Sequence, residues 1–350
     1  MTTDGTNLTD DITTAAPLEA PACQAGPFAA PPPAPALPKP SLGERCDRQA
    51  AALDAVDVAT RDRRRFLRAV QFALAARGVR LGAVLMLTGL DQSGMKTIVD
   101  KAIEALPKPT SIDPFTLTRP VLALTLSVST SLETLIWSMM ADLDPEFAMT
   151  TAASKIDAPS DGRRLQRLLD AFKVKWLVIK RAEALAVDDP GERKALGAFL
   201  GELRSAGLNL LLCGLDPVAE LVAQTPTLAV DAVHCRTQVY DKTDEEAETF
   251  ARAFLDRCAI PSASSILDEP GFLEGLIAPT AGRRGLIKSL IVRAVMIATT
   301  HNAAAMTVQH FKTALSDTFK PIAPVAADSA VSPVDVRANA PRRRRSKRRQ

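Results

Sequence analysis

The stretch Leu81–Thr97 reads LGAVLMLTGLDQSGMKT. Apolar residues run up to Thr88, a glycine-containing turn follows, and Lys96-Thr97 open a helix-like segment from Ile98 to Leu106. That order outlines a phosphate-binding loop, in which backbone N–H groups and a lysine cradle phosphates and a hydroxyl holds Mg²⁺. The outline departs from G-x4-G-K-[ST] by one residue. Gly89 and Gly94 have the right mutual spacing, but Met95 stands between Gly94 and Lys96. Counted back from Lys96, Leu90 and Met95 fall where the glycines belong. Met95 is then either an insertion bulged out of the loop or a replacement that narrows the phosphate nest, since a loop glycine often serves close backbone approach.

Outward from this stretch, short apolar runs alternate with helical patterns. Strands are expected at Gly82–Thr88, Pro120–Val128, Trp176–Ile179 and Leu208–Cys213, with a weak fifth near Thr237–Tyr240. Helices are expected at Lys96–Ala105, Thr134–Leu143, Arg163–Phe172, Arg193–Ser205 and Pro217–Ala223, and at 57–77, where Phe66, Val70 and Ala73-Leu74 make one face. Strands this apolar are buried on both faces, which with intervening helices implies a mainly parallel α/β sheet. From Thr243 the pattern is all helix, at 243–258, 265–276, 283–300 and 307–316. The chain therefore divides into 1–42, 43–242 (α/β with its N-terminal helix), 243–320 (helical lid) and 321–350.

An open α/β sheet offers its ligand site at the carboxyl ends of the strands. At the end of WLVIKRAEAL an ATPase places Asp-Glu, one to hold Mg²⁺ and one to polarise water. Here Lys180-Arg181 stand there, so Mg²⁺ is not expected in the usual site and no catalytic residue is assigned. Lys180 would instead stand at the Mg²⁺ position and substitute for its charge. After the fourth strand, Leu215 and Asp216 are poor donors to a phosphate, and Asp216-Pro217 reads as the start of a helix. Gly282-Arg283-Arg284-Gly285 heads the long lid helix, where arginines suit phosphate or nucleic acid. Arg61, Arg63, Arg64 and Arg65 crowd an earlier helix start and could reach DNA phosphates as well as solvent.

The 350 residues carry a net charge of +3, unevenly spread. Arg342, Arg343, Arg344, Arg345, Lys347, Arg348 and Arg349 form a cationic tail; without these seven, the 43 Lys+Arg fall below the 40 Asp+Glu. Such a tail binds polyanions, DNA among them, with affinity that falls as salt rises. Nine prolines between Pro17 and Pro40 predict an extended, disordered segment. The apolar runs are too short to span a membrane, and no secretory signal precedes them. Five scattered cysteines without a C-x-x-C pair argue against a disulfide framework or zinc site and for reduced thiols in the cytoplasm.

With these parts in order, the chain resembles the TniB family, AAA+ proteins of bacterial transposition modules. The resemblance spans roughly residues 60–319. It rests on TGLDQSGMKT, on WLVIKRAEAL, on NLLLCGLDPVAEL, and on the lid segment TAGRRGLIKSLIVRAVMIATTHNAAAMTVQHFKTAL. It implies an AAA+ (P-loop NTPase-like) sheet with a C-terminal helical lid, ATP as the bound nucleotide, assembly on DNA as a homo-oligomer or with an intact paralogue, and delivery of DNA to a transposase. Carried over by position, Gly89, Gly94, Lys96 and Thr97 match the nucleotide loop, and Arg283 or Arg284 matches the lid arginine. Lys180 and Arg181 occupy the Asp-Glu places. Arg236 lies in the region of an inter-subunit arginine, without a motif to anchor it. The departures at Met95, Lys180-Arg181 and Leu215-Asp216 lead to a pseudo-ATPase that binds DNA and recruits a transposase. The alternatives are a nucleotide-gated assembly switch and a domesticated structural remnant.

Overall fold

The computed structural model describes residues 40–76, 81–113, 116–127 and 129–318. The proline-rich segment, Cys23 and the whole basic tail lie outside them. The chain opens with α1 (Leu42–Asp54), held at its start by a capping box between Ser41 and Glu44, and α2 (Arg61–Ala75), capped by Thr60. β1 (Val84–Thr88) leads into α3 (Met95–Ala105), and a small hairpin, β2 (Thr110–Asp113) and β3 (Thr116–Thr118), precedes β4 (Val121–Thr125). Then follow α4 (Leu132–Leu143), α5 (Pro145–Thr150), α6 (Ala158–Ala171), β5 (Trp176–Lys180), α7 (Pro190–Ser205), β6 (Asn209–Gly214), α8 (Pro217–Gln224), α9 (Pro226–Ala229) and β7 (Val233–Arg236). The lid comprises α10 (Glu245–Leu255), α11 (Phe272–Thr280), α12 (Arg284–Thr300) and α13 (Val308–Thr318).

Five strands form one sheet in the order β4-β5-β6-β1-β7, and every neighbouring pair is parallel. Period-two alternation sends Val84, Met86, Leu177, Ile179, Leu210 and Leu212 to one face, under α4, α6, α7 and α8. Leu85, Leu87, Trp176, Val178 and Leu211 go to the other, under α2 and α3. A separate apolar core holds the lid together around Phe250, Phe254, Leu290 and Ile291. Leu53 of α1 belongs to that lid core, and α1, a helix the sequence reading did not mark, packs on α12.

Two expectations are corrected. The fifth strand is Val233–Arg236, not Thr237–Tyr240. The Thr237 N–H ends the ladder on the Thr88 carbonyl (2.8 Å), and the Tyr240 N–H then bonds the Gly282 carbonyl (2.9 Å), which draws this segment off the sheet toward the lid. The helix expected over 265–276 is split into a 3₁₀ turn at Ala263–Asp268 and α11 from Phe272. Pro270 cannot continue the first, and Gly271, at φ +77°, turns the chain into the second.

Candidate functional site at the carboxyl edge of the sheet

The loop between β1 and α3 keeps the full spacing from Gly89 to Gly94. Gly94 is the N-cap residue of α3 in the left-handed region (φ +92°), and Met95 is the first helical residue. Met95 is therefore no bulge: it occupies the lysine position outright, half-buried against the core cluster that includes Ile98 and Phe66. Lys96 comes one residue late, about 100° further round the helix axis, and is exposed. Thr97 lines the cleft beneath the lid. No side chain caps α3.

The loop is tied up by its own chain. The Ser93 N–H donates to the Leu90 carbonyl (3.1 Å) and the Gln92 N–H to Asp91 Oδ1 (2.9 Å). Ser93 Oγ and Thr237 Oγ1 are 2.7 Å apart. Thr237 fills the cradle at Gly89, where a Cβ would fall 1.7 Å from its hydroxyl. From the lid, the Gly285 N–H donates to the Gln92 carbonyl at 2.7 Å.

At the end of β5 the Lys180 ammonium donates to Asp100 Oδ1 of α3 at 2.7 Å. Strand and helix have exchanged charge: the cation sits on the strand and the carboxylate on the loop helix. Lys180 is thus neutralised by Asp100 and does not stand in for a metal's free charge, contrary to the sequence expectation. Arg181 follows in the left-handed region (φ +57°). Glu183, on the next 3₁₀ turn, accepts the Leu215 N–H at 3.2 Å and lies against Gly214, where a Cβ would fall 2.2 Å from its carboxylate. Cys213 is buried beside Lys180; burial pushes its thiol far up, which the lysine only partly offsets. Asp216 takes the N-cap position of α8 but caps nothing, because its carboxylate pairs with Arg236 at 2.6 Å.

Above the loop stands the lid arginine. Arg284 is the first residue of α12 and is 4% exposed. Its guanidinium pairs with Asp62, donates to Thr60 Oγ1 (3.0 Å) and the Gln238 carbonyl (2.7 Å), and lies 5.2 Å from the Tyr240 ring centroid. Arg284 Nε, Arg283 Nε and Tyr240 Oη are buried without a partner. The cleft between lid and loop measures about 100 Å³, lined by Thr60, Arg63, Gly94, Thr97, Arg284 and Lys288, among others. A larger groove of about 830 Å³ runs between α7 and the α8–α9 segment, on the opposite face of the sheet from α3.

No known family profile matches the chain, and no curated protein does. Solved structures do. A chain of Drosophila ORC bound to DNA superposes with a TM-score of 0.53 at 12% identity, covering 85% of this chain and 70% of that one. The Aeropyrum pernix ORC1 protein in complex with DNA gives 0.52 at 15% identity, covering 77% and 69%. The Aeropyrum pernix ORC2 protein in its ADP form gives 0.50 at 12%, covering 76% and 72%. With the strand order β4-β5-β6-β1-β7 and the helical lid in place, these likenesses decide the architecture. The fold is the AAA+ fold.

An AAA+ fold implies Mg²⁺ and ATP between the β1–α3 loop and the end of β5. The residues here do not fit the metal. Mg²⁺ takes hard oxygen ligands in a near-octahedral set; the strand end offers an ammonium and a guanidinium, and Asp100 is already paired with the former. Among the described residues no cluster of three His, Cys, Asp or Glu could hold a metal. Of the positions matched to the nucleotide loop and lid, the structure brings Gly94, Thr97 and Arg284 around one cleft and leaves Gly89, Lys96 and Arg283 outside its lining. Sequence reasoning missed Asp62, Asp100, Gln238 and Tyr240. The one local signal was Asp62, an acid embedded in the arginine run 61–65.

Proposed function

We propose that this chain is a DNA-associated AAA+ accessory protein of the TniB kind, which binds DNA, assembles with copies of itself or with an intact paralogue, recruits a transposase and does not hydrolyse ATP. The observation that carries the loss of hydrolysis is the Lys180–Asp100 pair at 2.7 Å. It puts an ammonium where the carboxylate that holds Mg²⁺ belongs, and the carboxylate that follows, Glu183, is engaged by the Leu215 N–H. Met95 at the lysine position supports the same reading from the other side of the cleft.

DNA association is supported by the seven-cation tail and by two structural neighbours whose names state that they are bound to DNA. The transposition role rests on the TniB-like loop, strand and lid segments. The α/β part (43–242) and lid (243–320) make the AAA+ module, and the basic tail supplies the polyanion grip. The test is phosphate release by the full chain, with and without DNA and Mg²⁺, beside Lys96→Ala. The expected result is no release above the Lys96→Ala background, and DNA affinity that ATP does not change. Phosphate release that needs both Mg²⁺ and Lys96 overturns the reading. A fluorescent ATP analogue measures Mg²⁺-free nucleotide binding separately.

A further inference from the structure

Three cations line the cleft between loop and lid: Arg63, Arg284 and Lys288. Each is paired with a carboxylate from the single stretch 54–62. Lys288 Nζ lies 2.9 Å from Asp54 Oδ1, Arg63 forks onto Asp57, and Arg284 pairs with Asp62. Asp62 also accepts the Gln238 N–H at 2.8 Å, and Thr60 in the same stretch takes Arg284 on its hydroxyl. Two of the three carboxylates thus reach from the N-terminal segment to α12, on which α1 also packs. Converging cations at an uncapped helix start form an anion site by charge and geometry. Here the anions belong to the chain itself.

We propose that the segment 54–62 is a built-in anionic strap: its carboxylates engage in cis the cleft cations that an oligophosphate would otherwise take, and hold the lid closed on the β1–α3 loop without nucleotide. The closure is tight. The Gly285 N–H is bonded to the Gln92 carbonyl, and a Cβ at Gly285 would fall 2.8 Å from that oxygen. The carboxylate does not saturate the arginine, since Arg284 Nε stays buried without a partner beside the ring of Tyr240. A site with a donor to spare takes up an oligophosphate once its own carboxylate is removed. This inference does not depend on the transposition reading, because lid order and phosphate release are separate observables.

The test is thermal melting of the full chain against increasing sodium tripolyphosphate without Mg²⁺, for wild type, Asp62→Asn and the double variant Asp54→Asn/Asp62→Asn. Wild type is expected to melt at the same temperature throughout. Asp62→Asn, which keeps the shape and removes the charge, is expected to melt several degrees lower and to be raised toward wild type by tripolyphosphate, as a ligand of the folded state must do. The basic tail is common to all three, so its own polyanion binding cancels in the comparison. Wild type that is stabilised as much as the variants overturns the proposal, and so do variants that tripolyphosphate does not raise. Should the variants fail to fold, hydrogen exchange of α12 in wild type decides. Equal protection with and without ATP is the expected result, and protection that requires ATP overturns the idea.

Discussion

Asp62 and Lys180 each hold an ion pair, and burial separates what the two are worth. The Asp62 and Arg284 side chains are 12% and 4% exposed, so removing one leaves an uncompensated buried charge. Asp62→Ala should therefore cost about 3–5 kcal/mol. Lys180 and Asp100 are 31% and 41% exposed, and solvent screens their attraction. Lys180→Ala should cost under about 1 kcal/mol, the range for exposed pairs. Urea unfolding of the two variants side by side checks the order; a reversal would show that the strand-end pair, not the lid pair, anchors the site. Cys213, buried and with its thiol pushed up, should resist alkylation in the native protein and react only on unfolding, as mass mapping after a timed iodoacetamide pulse would read. Asp57 titrates the other way. The hydrogen bond from Arg63 holds its carboxyl below the usual range. Its contribution is complete above the unfolded-state carboxyl value and is lost as pH falls through the folded one. Asp57→Asn should flatten part of the acid limb of a stability–pH curve by lowering the neutral plateau, with the most acid end little changed.

At the scale of elements, the turn from α11 into α12 is tightly constrained. Gly282 has φ +67°, and a Cβ there would fall 2.0 Å from the Tyr240 carbonyl. Gly282→Ala should destabilise by more than about 1 kcal/mol, the gain such a change brings where the backbone permits it, and should disturb the lid first, as hydrogen exchange along α12 would report. The elements legible in the sequence were those whose signal is local. Val84–Thr88, Trp176–Lys180 and Asn209–Gly214 are buried on both faces and read as unbroken apolar runs, so their strands and parallel order followed. β7, an edge strand with Cys235 as its buried residue, gave no such run, and the weak signal slid onto Thr237–Tyr240. The hairpin at Thr110–Thr118 was missed because three-to-four-residue strands outside the main sheet carry little pattern. α1 shows helix chemistry but buries little beyond Gln49 and Leu53, so nothing local said which core would claim it. The site divides in the same way. The cations after β5 were visible as a break in an apolar run. Their partner Asp100, and the Asp62 that meets Arg284 across 222 positions, are facts of tertiary pairing that no window contains.

For the whole molecule, charge is segregated between the folded body and the terminal run of seven cations. Truncation after Ala340 should flatten the dependence of log affinity for duplex DNA on log salt by up to about six, the slope that seven neutralised phosphates contribute. Fluorescence anisotropy at several salt concentrations measures this, and an unchanged slope would assign the DNA contacts to the folded body. The sheet itself has a consequence for synthesis. β1 pairs with β6, whose residues follow it by 126 positions, and with β7, which follows later still. At about 5–20 residues per second, translation leaves VLMLT without a neighbour on either side for on the order of 10 s. During that interval the most apolar strand of the fold is an unpaired hydrophobic ribbon outside the ribosome. The nascent chain should therefore be a client of holding chaperones until Asn209–Gly214 emerges to close the sheet.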